Sequence, residues 1–234
     1  FVGVSGLDLF AGGVWAEELA VELYPWDAGT DDGSTFLSRN SEARPHEPIA
    51  PIRAAPLAPD GVAVVYGDDP PLKKRASVVA AKRKLFYGRS AGNDVRVIDW
   101  DVDAEGTRAR YQVRGRDLEI AMALLGEGAV LNAAGVLSIV LGLDLPLEEA
   151  SRGLADVKPE SGRLQARTGS GNRLVIDDSY NSNPASLEVA METARAIALK
   201  RDAPFVAILG DMKELGAHSE EAHLLVGDLV ADAD

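Results

Sequence analysis

The sequence predicts an α/β fold, and two patterns predict it. In the last third of the chain, short apolar runs of strand length alternate with longer segments whose apolar residues recur at helical spacing. Upstream, a continuous apolar run and several alternating ones accompany one long segment that is apolar nearly all round. The chain has 234 residues, 46% apolar and 26% charged, so a globule of this length buries roughly 70–75% of its unfolded surface. Lys and Arg number 24 against 37 Asp and Glu, a net charge of −13. That balance argues against a general nucleic-acid or anionic-membrane surface, because phosphate contacts need clustered cations. Cysteine is absent. Disulfides, thiolate catalysis and Cys–zinc sites are thereby excluded, and a reducing compartment fits.

The elements follow in order. Residues 1 to 56 read as an irregular linker. They contain the acidic, turn-rich run Asp27 to Ser34, and seven of the twelve prolines fall between Pro45 and Pro71. One short helix is expected there, over Val14–Leu23. Gly61 to Tyr66 is a continuous apolar run that ends in Gly67-Asp68-Asp69-Pro70, which predicts a buried strand and a turn. Val95–Trp100 is a further strand. Arg108–Val113 and Asp117–Leu124 flank Arg114-Gly115-Arg116, which predicts a hairpin. Val130–Leu141 predicts a buried helix, and the stretch Val130 to Leu143 is too short to span a bilayer. Pro146–Leu154 predicts another helix, with Glu148 and Glu149 in its first turn, where the dipole favours acid. No basic segment followed by an apolar run opens the chain, so no signal peptide is expected.

The final third is the most regular. Arg173–Asp177 predicts a strand. Asn183-Pro184 then starts a helix, Asn as cap and Pro as first helical residue. Leu187, Ala190, Met191, Ala194, Ile197 and Ala198 form its apolar face. Phe205–Leu209 predicts the next strand, and Ser219 caps a last helix with the stripe Ala222, Leu225, Val226, Leu229 and Val230. Strand, helix, strand, helix predicts a right-handed parallel unit with both strands buried.

In an open parallel sheet, ligands bind beyond the carboxyl ends of the strands. Two polar clusters fall at such ends. One is Asp177-Asp178-Ser179-Tyr180-Asn181-Ser182-Asn183-Pro184, and the other is Gly210-Asp211-Met212-Lys213-Glu214-Leu215-Gly216. Each precedes a helix, whose free N–H groups suit phosphate or carboxylate. Asx turns, an N-cap and a glycine turn would also explain many of these residues. Asp177 and Asp178 are adjacent at a strand end and must point to opposite faces, so one at most faces a ligand. His46, His218 and His223 have no metal-binding spacing, and no metal site is expected; His223 reads as a surface residue of the last helix. Gly-Lys-Ser and Gly-Lys-Thr occur nowhere, so the chain carries no phosphate-loop lysine.

The run Ile176 to Leu187 resembles the signature of the Mur ligases. Leu209-Gly210-Asp211-Met212-Lys213-Glu214-Leu215-Gly216, followed by Ser219 and His223, is similar to the family's next element, and Ser161-Gly162-Arg163-Leu164 to the entry of its C-terminal domain. Gly61 to Pro70 looks like a late strand and turn of the family's central domain, with Tyr66 where Asn is usual. Gly126 to Ala134 is similar to its Gly-x-His-Asn-x-x-Asn-Ala element. Asn132 matches the second Asn, and Gly128 and Ala129 stand in place of His and the first Asn. The resemblance covers about residues 57 to 234 and implies a fold: the late part of a central ATP-binding domain over 57–158, then the first half of a Rossmann-like C-terminal domain over 159–234. It implies an ATP- and Mg²⁺-dependent, cytoplasmic, monomeric amide-forming enzyme of peptidoglycan synthesis that joins D-alanyl-D-alanine to UDP-N-acetylmuramoyl-tripeptide. By similarity, Asn132, Arg163 and Asp178 contact the nucleotide. Ser179, Tyr180, Asn181, Asp211, Met212 and Glu214 line the dipeptide side. The phosphate loop and the end of the C-terminal domain are not recognisable, which implies an incomplete ligase, inactive alone. The alternative is a non-catalytic nucleotide- or peptide-binding module.

Overall fold

The computed structural model describes residues 21–23, 61–78, 81–213 and 219–231. They fall into two compact units that divide between Lys158 and Pro159.

The first unit is built on a six-stranded mixed sheet, in the order β1 (Val21–Leu23), β2 (Val62–Tyr66), β3 (Arg83–Gly88), β4 (Val95–Val102), β5 (Thr107–Val113) and β6 (Arg116–Met122). β1 to β4 run parallel, and β5 is antiparallel to both of its neighbours, β4 and β6. Each half shows the burial its geometry demands. β2 is covered on both faces, so Val62 to Val65 are all buried. β5 alternates, with Thr107, Ala109, Tyr111 and Val113 inward and Arg108 and Arg110 outward. The hairpin turn predicted at Arg114-Gly115 forms with φ of +49° and +80°. Two positive φ angles make the turn whose twist suits a two-residue hairpin, and Gly takes the second without strain.

α2 (Gly126–Gly142) is the buried helix the composition predicts. It sets Val130, Ala133, Ala134, Leu137 and Leu141 against Val62, Val64, Leu85, Tyr87 and Tyr111 of the sheet. Two buried hydrogen bonds fix its position. Thr107 Oγ1 accepts from Gly126 N at 2.9 Å, and Tyr111 Oη donates to Val130 O at 3.1 Å. α3 (Leu147–Asp156) follows, with Glu148 and Glu149 in its first turn and Leu154 inward. α1 (Pro70–Val78) lies in a separate cluster in which Val65, Leu72 and Ala76 pack with Phe86. No helix among the described residues is long and apolar enough to cross a membrane.

Three features of this unit differ from expectation or were missed. The helix expected over Val14–Leu23 gives way at its end to β1, paired with Ala63 to Val65; residues 14–20 lie outside the described residues. The free N–H and C=O edge of β2 supplies a ladder, which outweighs local helical spacing. α1 and β3 were not expected at all. The signal for α1 was Asp69-Pro70: Asp69 Oδ1 accepts from Leu72 N at 2.8 Å, an acidic cap before a first-turn proline.

The second unit opens with an antiparallel hairpin, β7 (Gln165–Thr168) and β8 (Leu174–Asp177). α4 (Pro184–Lys200) carries the predicted cap in full. Asn183 Oδ1 accepts from Ser186 N at 2.9 Å, and Ser186 Oγ accepts from Asn183 N at 3.0 Å. Ala190, Met191, Thr193 and Ile197 are its buried residues. Arg195 donates to Leu229 O at 3.0 Å and so ties α4 to the last turn of α5 (Ser219–Ala231).

The predicted parallel unit is corrected here. Residues 203–213 carry no regular secondary structure, and Val206 and Ile208 are 77% and 94% exposed. A buried parallel strand needs a ladder neighbour, and β8, the neighbour expected, pairs with β7 instead. The apolar stripe of α5 is also only partly covered. Ala222 is buried, whereas Leu225 and Val230 are exposed.

Candidate functional site

Two short segments of the second unit meet at one place. The turn Ser161 to Leu164 precedes β7, and Asp178 to Tyr180 follows β8. Hairpin pairing of Gln165 with Asp177 brings the two turns side by side. Tyr180 N donates to Gly162 O at 3.0 Å, and Leu164 N donates to Asp178 Oδ1 at 2.9 Å. Gly162 holds φ +74°, and a Cβ there would stand 3.1 Å from Tyr180 N. Only glycine meets both demands without strain.

The Arg163 guanidinium lies over the Tyr180 ring, 4.2 Å from its centroid. A flat delocalised cation on an aromatic face is a favourable pair. Tyr180 is 67% exposed and Arg163 is exposed, so the stack faces solvent. Beside it, burial pushes the Asp178 carboxyl above its ordinary value, against the pull of Leu164 N–H and Arg163; neighbouring Asp177 adds to the rise. Asp177 goes the other way. The Ser179 hydroxyl and N–H bind its Oδ1 at 2.7 and 3.2 Å, Arg167 lies 3.4 Å away, and together they hold it below the ordinary value. The expectation that the two carboxylates face different ways therefore matches their partners.

Of the predicted site residues, the structure brings together Arg163, Asp178, Ser179 and Tyr180. Asn181 is exposed, and its Oδ1 accepts from Ser182 N. Asp211 is exposed, whereas Met212 is 5% exposed and packs on Ala222 and Val226 of α5. No hydrogen bond, ion pair or ring contact joins 177–183 to 210–213 among the described residues. Glu214 lies outside the described residues. Asn132 belongs to the first unit, half-buried on α2.

At the carboxyl ends of β2 and β3 the first unit has its own polar knot, which sequence reading did not single out. Asp68 accepts from Arg89 N, from Ser90 N at 3.0 Å and from Asn93 Nδ2 at 2.9 Å. Burial raises the Asp68 carboxyl, but these donors outweigh it and hold it below its ordinary value. Arg89 also pairs with Glu127 at 2.9 Å and lies 4.7 Å from the Trp100 ring centroid. Asp68 is satisfied by these donors, whereas Asn93 Oδ1 is buried without a hydrogen-bond partner; the Asp68 knot clamps the loop that follows β3.

Magnesium can be tested against these residues. No group of three or more His, Asp or Glu among the described residues could hold a metal ion. Because Mg²⁺ is commonly bound through one or two carboxylates and substrate phosphates, the described residues do not form a cage for it by themselves.

Comparison with known proteins gives two family matches. Residues 162–234 match the model described as Mur ligase, glutamate ligase domain, and residues 1–64 match the model described as Spondin_N. The chain is 28% identical over 173 residues to the UDP-N-acetylmuramoyl-tripeptide–D-alanyl-D-alanine ligase of Escherichia coli, covering 74% of this chain and 37% of that protein. The Bacillus subtilis enzyme of the same name is 27% identical, covering 75% and 36%. Among solved structures, the MurF ligase of Thermotoga maritima in complex with ADP is similar, with a TM-score of 0.62 and 28% identity over 73% of this chain and 38% of that one. MurF from Acinetobacter baumannii has the same TM-score at 25% identity, covering 75% and 37%. The chain thus spans well under half the length of the relatives it matches.

Proposed function

We propose that this chain, a relative of the Mur ligases over about three quarters of its length, supplies the nucleotide- and dipeptide-facing part of an ATP-dependent amide ligase. Its substrates are UDP-N-acetylmuramoyl-tripeptide and D-alanyl-D-alanine, and its setting is the cytoplasmic stage of peptidoglycan synthesis. The observation that carries this reading is the locked pair of turns at 162–164 and 178–180, which assembles the motif residues of the matched family at one exposed position.

The chemistry is carboxylate activation. A carboxylate resists nucleophiles, and phosphoryl transfer from ATP turns it into an acyl phosphate with a good leaving group. In this reading Arg163, flattened on Tyr180, presents its free guanidinium face to the nucleotide, and Asp178 accepts from nucleotide donors. Ser179, Tyr180 and Asn181, with the segment Asp211 to Glu214, border the incoming amine.

A second reading has its own support: the chain contains no Gly-Lys-Ser or Gly-Lys-Thr. A chain that lacks the lysine of a phosphate loop binds nucleotide or dipeptide without turning ATP over. Two measurements separate the readings. Calorimetry with ADP and with D-alanyl-D-alanine reports binding, and ADP release from ATP in the presence of both substrates reports turnover. We expect binding without turnover for the 234-residue chain. Turnover at ordinary ligase rates would overturn the binding-only form. Absence of binding to both probes would overturn the proposal as a whole.

A further inference from the structure

We propose that His223 is a positioning residue: it clasps the segment carrying Asp211 onto α5 and so sets the dipeptide side of the site. This rests on the ligase reading above. The segment 203–213 carries no regular secondary structure, so neither a ladder nor a helix holds Asp211 in place. Two contacts do hold its neighbour. Met212 N donates to His223 Nε2 at 3.2 Å, and the Met212 side chain is buried against Ala222 and Val226, one residue before and three after that histidine.

The ring's other nitrogen closes the arrangement. His223 Nδ1 lies 2.7 Å from Ser219 O and 3.5 Å from Ser219 Oγ. Because Nε2 accepts, the proton of the neutral ring belongs on Nδ1, where it donates to Ser219 O. The ring is thus oriented by its own helix and uses its free lone pair on one specific main-chain N–H. Asp211 and Lys213, the residues on either side of Met212, are exposed. Their direction is therefore governed by how Met212 is docked. An imidazole whose Nε2 is spent on a main-chain N–H acts through the segment it holds.

Glutamine at this position reaches about as far as Nε2 and can accept from Met212 N through Oε1; alanine cannot. The test is amide hydrogen exchange of the 234-residue chain, read at Met212 and along α4, together with calorimetry of D-alanyl-D-alanine. In His223→Ala we expect Met212 to exchange about tenfold faster, the worth of one hydrogen bond, with α4 unchanged and dipeptide affinity down by about the same factor. In His223→Gln both values should return close to wild type. An unchanged Met212 rate in His223→Ala would overturn the clasp. Faster exchange throughout α4 and α5, or an equal loss in both variants, would also overturn it by showing a general structural role. If the wild-type chain binds neither ADP nor dipeptide, the ligase reading and the positioning role fall together; if it binds ADP alone, only the positioning role falls, and the Met212 rate still decides whether the clasp exists.

Discussion

Asp178 and Asp177 stand side by side and are driven in opposite directions, one by burial and the other by donors. This has a pH signature with opposite signs. The native pKa of Asp178 lies above 3.8, so the native state holds its proton over a window where the unfolded chain has lost it. Stability from this group is present at low pH and is lost as pH rises through the native value. Asp177, with its pKa lowered, contributes stability above 3.8 that is lost as pH falls through its native value. Thermal melts between about pH 3 and 7 should therefore show Asp178→Asn flattening the decline on the rising side. Asp177→Asn should remove stabilisation at neutral pH. If Asp178→Asn leaves the profile unchanged, its carboxyl is not desolvated as described. At the same scale, Tyr180→Leu removes the platform under Arg163. An exposed pair of this kind contributes about 0.5–1 kcal/mol, so little stability should be lost while ADP affinity, read by calorimetry, falls severalfold.

Elements depend on what neighbours them. α2 enters the core with its first N–H bonded to Thr107 Oγ1, a side chain 2% exposed on β5. Thr107→Val keeps the shape and strands that donor, which should cost about 1–3 kcal/mol in denaturant unfolding; a change below about 0.5 kcal/mol, the size of an ordinary surface substitution, would mean that water replaces the bond. In contrast, Val206→Thr with Ile208→Thr should stay within about 0.5 kcal/mol of wild type, because both side chains are exposed in the described structure. This contrast also shows what the sequence could reveal. Helix α2, the β5–β6 hairpin and the Asn183-Pro184 start of α4 were legible because their signals are local: period, turn residues and caps. Phe205–Leu209 has the local signal of a strand, but a strand exists only with a partner, and partnering is not written in a five-residue run. β1 reverses the case, since three residues with helical spacing were recruited by the edge of β2. The shift in β4 register between Val97 and Asp99 had no sequence signal at all.

For the whole molecule, the candidate site was legible as residue types, while its geometry was not. Arg163 and Asp178 are 15 positions apart, and only the β7–β8 pairing explains why they meet. The stack on Tyr180 and the clasp at His223 involve side chains whose partners no spacing rule names. The chain also joins two family matches. Its first 64 residues match Spondin_N, whereas sequence reading assigned residues 1 to 56 to a linker. Most of that stretch lies outside the described residues, although β1 and the start of β2 fall within it. The acidic balance of −13 makes the exposed Arg163 a local cation on an anionic molecule, so nucleotide binding should weaken as salt screens that contact.

The central claim is that the turns at 162–164 and 178–180 form one nucleotide-contacting surface. Backbone NMR of the 234-residue chain during titration with ADP tests it most directly. Shifts concentrated at Arg163, Leu164, Asp178 and Tyr180 are the expected result. Saturable shifts located elsewhere, with these amides unmoved, would contradict it.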